Sequence, residues 1–321
     1  MLSRGNMPKP ILIDTDPGID DAVAIALALA EPDVDVIGIT TVGGNTGLAN
    51  TTRNALRLLE FLNRTDIPVA SGFGEPYKRV AKAPAAEGVH GSDGLGGSDL
   101  PDPVTQVVST DSSSFLSEKI RNSSQPVTLV ALGPLTNIAH LLDYDPEIVK
   151  YIDRFVIMGG AARTGNVTPV AEFNIWHDPE AAKRVFSSGL EVIMVGLDAT
   201  HSVKTYEHLW DWLGDAGNFG EAFKQMLAHY TDFYSAFYGE RMTHQHDALA
   251  VAEAIWPGTM TLQAAFTDVE CDSLLTEGMT VVDVNMRWGQ KANSQVAWGL
   301  DGDLFHERLM GALQRLAKTI G

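Results

Sequence analysis

Short runs of aliphatic and β-branched residues alternate with helical patterns along most of the chain. The apolar runs predict strands over residues 11–13, 34–42, 67–70, 127–132, 155–158 and 192–196. The other periodic segments predict helices over residues 20–30, 48–63, 135–142, 179–187 and 249–255. Strands alternating with helices indicate an α/β protein with an open, mainly parallel, doubly wound sheet flanked by helices. Fully apolar strands fit a sheet that is covered on both faces.

Two stretches interrupt this alternation. Residues 73–109 are rich in Gly, Pro, Ala and Asp, and loops of this length are commonly functional lids or disordered segments. Residues 205–238 are helical in pattern and aromatic, and their spacing predicts that most of the rings lie in the core. Neither stretch resembles a linker, so we expect residues 1–321 to form a single domain.

Composition narrows the classes of function. The net charge is −18 and no basic patch stands out, which argues against a nucleic acid partner. The only cysteine, Cys271, cannot form an intrachain disulfide, which favours a reducing, cytoplasmic location. The N-terminus has no signal-peptide pattern, and either Met1 or Met7 can be the start. The longest apolar run, residues 22–30, is too short to span a membrane.

The most informative stretch is residues 14–21, Asp-Thr-Asp-Pro-Gly-Ile-Asp-Asp. It places four carboxylates after the first predicted strand, with no Lys or Arg among them. Like charges this close cost free energy unless a cation lies between them, and oxygen-only ligands favour calcium or magnesium over zinc. A simpler interpretation, an acidic helix cap beside a solvated turn, accounts for one or two of these residues but not four.

Further polar or glycine-rich groups follow other predicted elements. In chain order they are Asn45, Gly133-Pro134, Gly159-Gly160, Gly165-Asn166, Glu172, Asn174, His246 and Asp247. Glu172 and Asn174 are two residues apart, so in an extended segment they point to the same side. Taken singly, Asn45 fits a turn and His246 fits a helix start. Taken together, the groups predict a ligand site at the carboxyl edge of the strands.

These motifs resemble those of the inosine–uridine preferring nucleoside hydrolases, in order from about residue 9 to the C-terminus. The matching motifs are the acidic octad, Gly-Gly-Asn45, Leu132-Gly-Pro-Leu-Thr-Asn137, Met158-Gly-Gly, Ala-Glu-Phe-Asn174 and His246-Asp247. The resemblance implies hydrolysis of the N-glycosidic bond of free ribonucleosides to ribose and base. It also implies a calcium cofactor, Ca2+, with protein ligands Asp16, Asp21, the backbone carbonyl of Leu132 and Asp247.

The resemblance further implies a mechanism and a substrate site. A metal-bound water attacks the anomeric carbon while Asp16 accepts its proton, through an oxocarbenium-like transition state. His246 protonates the leaving base. The implied ribose contacts are Asp20 and Asn45 at the 2′-hydroxyl, Asp247 at the 3′-hydroxyl, Asn166, Glu172 and Asn174 at the 5′-hydroxyl, and Met158 against the sugar. Base-side candidates are His90 in the long loop and Tyr230 and Tyr234 in the aromatic segment.

No motif determines the preferred base. We expect broad inosine–uridine activity first, a pyrimidine bias second and purine specificity third. Free nucleosides are favoured over nucleotides, because a 5′-phosphate would face Glu172. Members of the family are commonly dimers or tetramers, so we expect a homo-oligomer, with the tetramer first, that acts in purine and pyrimidine nucleoside salvage.

Three other classes of protein share part of the pattern. A strand followed by Asp-x-Asp resembles the Mg2+-dependent haloacid-dehalogenase-type phosphatases, but the downstream Lys and paired acidic motif of that family are not found. A calcium-dependent sugar-binding protein without catalysis would not need every catalytic position intact. An NAD-binding Rossmann domain would need Gly-x-Gly-x-x-Gly in its first turn, where these carboxylates would repel the pyrophosphate.

Overall fold

The computed structural model of the protein describes residues 7–79 and 86–320. Its strands are β1 (Lys9–Thr15), β2 (Val34–Thr41), β3 (Val69–Ser71), β4 (Val127–Ala131), β5 (Ile152–Met158), β6 (Val192–Val195), β7 (Thr205–Tyr206), β8 (Met242–Thr243), β9 (Met260–Val269), β10 (Thr280–Asp283) and β11 (Ser294–Leu300). Within the described residues, nine of them form one sheet in the order β10-β9-β11-β6-β5-β4-β1-β2-β3. Pairing is parallel from β3 to β11. It is antiparallel between β9 and its neighbours β10 and β11.

Helices cover both faces of this sheet. They are α1 (Ile19–Ala30), α2 (Leu48–Phe61), α3 (Glu87–His90), α4 (Ser112–Asn122), α5 (Thr136–Tyr144), α6 (Phe173–His177), α7 (Pro179–Phe186), α8 (Leu197–Thr200), α9 (Gly217–Tyr238), α10 (His246–Ile255) and α11 (Gly302–Ile320). Ile11 and Ile13 of β1 lie in one core with α1, α9, α10 and α11, whereas Leu12 lies in a second core with α4, α5 and α7. The side chains of one strand thus alternate between two apolar layers. The predicted doubly wound α/β fold is confirmed.

The structure differs from the predicted elements in three regions. Residues 205–238 are not helical throughout: β7 comes first, a 3₁₀ helix follows over Glu207–Asp215, and α9 begins only at Gly217. The reason is tertiary, because Thr205 pairs with Thr243 of β8. No element was predicted after residue 255, where the structure adds β9, β10, β11 and α11. In the predicted loop 73–109, α3 forms a short helix, and residues 80–85 lie outside the described part.

The parallel strands bring the predicted chemistry to one edge. Strand β1 lies between β2 and β4, and β5 follows β4, so the segments that follow these four strands begin side by side. The turn after β1 leads directly into α1, where the Gly18 backbone N–H donates to Asp21 Oδ2 at 2.8 Å and caps the first helical turn. Among the described helices, none combines the length and apolar character needed to cross a bilayer.

Candidate active site

The predicted site residues converge on one cavity of about 320 Å3 at this edge. The predicted residues that line it are Asp20, Asn45, His90, Leu132, Met158, Asn166, Glu172, Asn174, Tyr230, Tyr234, His246 and Asp247. The other two, Asp16 and Asp21, are fully buried behind the lining. Asn45, which lines the cavity, bonds to both of these carboxylates. Its backbone N–H donates to Asp16 Oδ2 at 2.6 Å, and its side chain donates to Asp21 Oδ2 at 3.2 Å.

Three carboxylates form a compact group at this cavity, and two of them, Asp20 and Asp247, line it. Asp20, Asp21 and Asp247 are buried, and one oxygen of each lies within 4.8 Å of the others. Asp20 and Asp21 come from the first turn of α1 and Asp247 from the first turn of α10. The group therefore joins two helix N-termini that are far apart in sequence. Asp20, which the resemblance assigns to ribose, belongs to this group, whereas Asp16 does not.

Asp16 lies next to this group, in a very confined position. Its Oδ2 accepts from the Asn45 backbone, and its own carbonyl accepts from Asn45 Nδ2 at 3.1 Å. Two glycines enclose the carboxylate: a Cβ added to Gly44 would lie 2.1 Å from Oδ2, and one added to Gly133 would lie 2.4 Å from Oδ1. These positions must be glycine because no real Cβ comes that close. The Gly-Gly-Asn45 and Leu132-Gly133 motifs thus hold one carboxylate in place.

The fourth carboxylate of the octad has a structural environment. Asp14 is fully buried, and its Oδ1 accepts from Thr40 Oγ1 and from Asn137 Nδ2, each at 2.6 Å. Burial raises its pKa to about 7. The Asn137 side chain also donates to the Thr41 carbonyl at 3.0 Å, so this pair fastens β1 and β2 to α5. The clustered charge that needs a cation therefore comes from Asp16, Asp20, Asp21 and Asp247.

The electrostatics of this cluster fit a hard divalent cation. Burial, followed by the charge of Asp21, raises the pKa of Asp16 well above its ordinary value and that of Asp20 to about 8. Burial also raises the pKa of Asp21 and of Asp247. Within residues 7–79 and 86–320, no Lys or Arg forms an ion pair with these carboxylates. A bound cation would relieve this repulsion, and an all-oxygen donor set is what calcium and magnesium prefer.

The Leu132 carbonyl, the predicted backbone ligand, follows the end of β4. It accepts a hydrogen bond from Asn174 Nδ2 at 2.7 Å, and the same amide donates to the Met158 carbonyl at 3.0 Å. A carbonyl oxygen has two lone pairs, so Leu132 keeps one for a further partner. Asn174 thereby links the ends of β4 and β5 beneath the cavity.

Glu172 and Asn174 share the cavity for a different reason from the one predicted. The segment is not extended: Glu172 is the N-cap of α6, and its carboxylate accepts from the backbone N–H groups of Asn174 at 2.9 Å and Ile175 at 3.2 Å. The Gly160 N–H donates to the same carboxylate at 2.9 Å. Burial raises the pKa of Glu172 to about 7. Asn166 lies at the exposed rim and accepts from the Phe173 N–H at 3.0 Å.

Aromatic and imidazole rings line the rest of the cavity, and His90 Nδ1 lies 3.9 Å from Asp20 Oδ1. His90 Nδ1 accepts from the Ile19 backbone N–H at 3.1 Å, and its ring stacks on Tyr230 with centroids 5.6 Å apart. His246 is held at both nitrogens: Nε2 lies 3.0 Å from the Tyr234 hydroxyl and Nδ1 lies 2.8 Å from Thr200 Oγ1. Burial lowers the pKa of His90 to about 3 and that of His246 well below its ordinary value.

Comparison with known proteins identifies the family. A profile of the inosine–uridine preferring nucleoside hydrolases matches residues 11–307. The chain belongs to this family. The non-specific ribonucleoside hydrolase RihC of Salmonella typhimurium is 46% identical over 297 residues, which cover 92% of this chain and 95% of the relative.

Solved structures agree with the sequence match. The plant nucleoside hydrolase PpNRh1 superposes with a TM-score of 0.91 at 35% identity, over 96% of this chain and 99% of that one. A purine-preferring ribonucleoside hydrolase from Gardnerella vaginalis superposes with a TM-score of 0.92 at 31% identity, over 97% and 100% of the two chains. The protein is therefore an enzyme, a nucleoside hydrolase that acts on ribonucleosides, as predicted.

The nucleoside hydrolase site contains residues that the sequence analysis missed. His201 lines the cavity beside His246, with ring centroids 5.5 Å apart, and Thr200 bonds His246 directly. Both follow β6, so the rule that strand ends meet at one edge could have found them. Val89, Phe233, Phe237 and Tyr238 also line the cavity. The three aromatic residues of α9 gave a weaker signal, because rings at helical spacing are more often core residues, and Val89 is an aliphatic residue of α3 with no such signal.

Proposed function

We propose that this nucleoside hydrolase is a calcium-dependent enzyme that cleaves the N-glycosidic bond of free ribonucleosides with broad base tolerance. The observation that carries the proposal is the arrangement of one cavity with two unlike sides. Buried carboxylates form one side, around Asp20 and Asp247, and imidazole and phenol groups form the other, around His246. One side suits a sugar that develops positive charge, and the other suits a leaving base that gains negative charge.

In this proposal Asp16, Asp21, Asp247 and the Leu132 carbonyl hold the calcium ion. All four donors are hard oxygens, and three of them are carboxylates whose pKa values are raised by burial. When bound, calcium would lower the pKa of the attacking water and offset the clustered charge. Calcium accepts six to eight oxygen ligands in flexible geometry, whereas magnesium demands near-ideal octahedral geometry, so calcium is the metal we propose.

Asp16 is the general base. Asn45 and the two adjacent glycines leave its carboxylate little freedom, so the proton acceptor is preorganised. The water oxygen bonds to the anomeric carbon, the carbon–nitrogen bond to the base breaks, and the water proton passes to Asp16. Nearby carboxylates stabilise the positive charge that develops on the ribose ring.

The remaining polar groups select and orient ribose. Asp20 and Asn45 bind the 2′-hydroxyl, and Asp247 binds the 3′-hydroxyl. Asn166, Glu172 and Asn174 bind the 5′-hydroxyl, while Met158 packs against the sugar. Buried polar groups such as these lose their partners when a hydroxyl is missing, so ribonucleosides are strongly preferred over deoxyribonucleosides.

His246 supplies the proton that the departing base requires, through the hydroxyl of Tyr234. The base nitrogen takes the Tyr234 proton while Tyr234 takes one from protonated His246, which ends neutral. His90 and Tyr230 form the wall against which the base lies.

Broad base tolerance rests on the relatives. Those named non-specific ribonucleoside hydrolase are 46% identical to this chain, whereas the purine-preferring structure is 31% identical. We order the alternatives as broad activity, a pyrimidine bias and purine specificity. We further propose a cytoplasmic homotetramer in purine and pyrimidine salvage, which light scattering and cell fractionation can test.

The deciding experiment measures free ribose released from inosine, uridine, cytidine, adenosine and guanosine, each with added calcium and with a chelator. Turnover of both purine and pyrimidine nucleosides, lost with the chelator and restored by calcium, supports the proposal. Restoration by magnesium alone would reassign the metal. Turnover of only one base class would replace broad tolerance by the corresponding alternative.

A further inference from the structure

Helix α2 faces residues 90–105, which we call the strap, with a row of polar side chains spaced about one helical turn apart. Asn50 Nδ2 donates to the Ser92 carbonyl at 3.2 Å and Asn54 Nδ2 to the Asp93 carbonyl at 2.7 Å. One and two turns later, Arg57 donates to the carbonyls of Ser98, Leu100 and Pro101, and Glu60 accepts from the N–H groups of Val104 and Thr105. The strap is therefore fastened along its length.

Asn54 differs from the rest of this row because it also contacts residues 16–21, which we call the acidic turn. Its Nδ2 donates a second hydrogen bond to the Pro17 carbonyl at 3.1 Å. Both partners are carbonyl oxygens, which only accept, so the orientation of the amide is determined. Asn54 is fully buried, and its Oδ1 has no hydrogen-bond partner among residues 7–79 and 86–320. A single NH2 group thus joins the carboxylate side of the site to the strap.

The strap begins with His90, which is bound to the same turn. The Ile19 backbone N–H donates to His90 Nδ1, so Nδ1 carries no proton and the hydrogen of this neutral ring lies on Nε2. His90 also stacks on Tyr230 and lines the cavity. His90, which bonds to Ile19, and Asp93, which bonds to Asn54, are only three residues apart in the strap. The two contacts therefore hold one short piece of backbone.

We propose that Asn54 is a positioning residue for the base side of the site, acting through His90. This inference rests on the proposed function, in which His90 faces the base. The acidic turn has further anchors of its own, in the Gly18–Asp21 and Asn45–Asp16 hydrogen bonds. Loss of Asn54 therefore displaces the strap and His90 more than it displaces the carboxylates that hold ribose.

The test is a double-mutant cycle of Asn54→Ala and His90→Ala, with Asn50→Ala as the matched control. Asn50 lies one turn earlier on α2 and bonds the strap but not the acidic turn. The measurements are kcat and KM for inosine and uridine, the inhibition constant of ribose, and the melting temperature. Asn54→Ala should raise the nucleoside KM by roughly ten- to a hundred-fold, as expected for a misplaced contact, and should change ribose inhibition less than about twofold.

Coupling gives the sharpest readout. The double variant should have the KM of His90→Ala alone, because Asn54 acts through His90. The inference would be overturned if the KM effects of the two single variants multiply in the double variant. It would also be overturned by equal weakening of ribose and nucleoside binding, or by a lower melting temperature with unchanged kinetics. If Asn54→Ala does not fold, Asn54→Ser keeps one donor and enters the same cycle with a smaller loss. A wild-type enzyme that releases no ribose from any nucleoside would instead contradict the proposed function.

Discussion

The hydroxyl of Tyr234 lies 3.0 Å from Nε2 of His246, and both side chains line the same cavity. Thr200 takes up the other ring nitrogen at 2.8 Å. Because both nitrogens of His246 already have hydroxyl partners, the imidazole can exchange a proton with the base through Tyr234. Tyr234 is thus part of the proposed proton-donating pair, although it belongs to α9 and His246 begins α10.

Removing this hydroxyl should slow the release of natural bases. Tyr234→Phe keeps the ring and its packing but breaks the hydrogen bond to His246. We expect kcat for inosine to fall by roughly two orders of magnitude, within the usual range for general acid catalysis. Hydrolysis of 4-nitrophenyl riboside should change little, because its leaving group needs no proton.

His246→Ala is the companion variant. It should slow inosine and uridine by roughly two to four orders of magnitude, again with a much smaller effect on 4-nitrophenyl riboside. Equal slowing of natural and activated substrates by either variant would reject the acid role. A Tyr234→Phe enzyme with normal inosine turnover would show that His246 reaches the base without the hydroxyl.

The carboxylate cluster predicts about one calcium ion per chain in protein purified without chelator, measured by elemental analysis. Removing the ion should abolish ribose release and lower the melting temperature. At free calcium of about 100 times Kd, binding should stabilise the fold by about 2.7 kcal/mol. Asp247→Asn should weaken this calcium-dependent stabilisation, whereas the exposed helix cap Asp111→Asn should leave it unchanged. Full activity of metal-free protein would contradict the prediction.

Most of the fold could be predicted from the sequence because its central strands are apolar and its early helices are strongly patterned. The strands around β1 are buried on both faces, so their composition identifies them. The regions that escaped prediction are set by tertiary contacts. Strand β7 has only two residues and depends on β8. Strand β9 alternates between buried and half-buried positions only over residues 265–269, and the exposed pair Gln263 and Ala264 interrupts the strand period before them.

The site was more predictable than the details of its geometry. The carboxyl ends of parallel strands meet at one edge of a sheet. This rule correctly predicted that Asn45, Leu132 and Glu172 share one cavity with the octad. It could not show that Glu172 caps a helix, or that Asp14 bonds to Asn137, since both depend on local backbone turns and packing. Nor could it show the bond between Tyr234 and His246, which depends on how α9 packs against α10.

Asp16→Asn tests the proposed base. The variant keeps the volume of the side chain and one oxygen that can accept from the Asn45 N–H, so the fold should survive. Turnover should fall by at least roughly two to four orders of magnitude, because the base is lost and the metal site is weakened. Melting temperature and calcium content serve as controls for folding and metal loss. A well-folded, calcium-loaded variant with near-normal ribose release would mean that another residue accepts the proton.

Glu172 should make stability depend on pH in a direction opposite to that of an ordinary paired carboxylate. Burial raises its pKa in the folded protein to about 7, from an ordinary value of 4.5. Between these values the folded state binds more protons than the unfolded state, so the free energy of unfolding falls as the pH rises from about 4.5 to 7. This loss is complete above pH 7 and amounts to at most about 3 kcal/mol.

Glu172→Gln removes the titration, and urea unfolding of both proteins between pH 4.5 and 8 reveals it. The weaker N-cap of the variant lowers its free energy of unfolding by the same amount at every pH. The informative quantity is therefore how the difference in free energy of unfolding between the two proteins changes with pH. Wild type should lose stability relative to Glu172→Gln between pH 4.5 and 7 and run parallel to it above. Glu118→Gln of α4, at an exposed glutamate, is the matched control substitution. If wild type instead gains stability relative to Glu172→Gln as the pH rises, the three backbone N–H groups outweigh burial, and Glu172 meets the 5′-hydroxyl as a carboxylate.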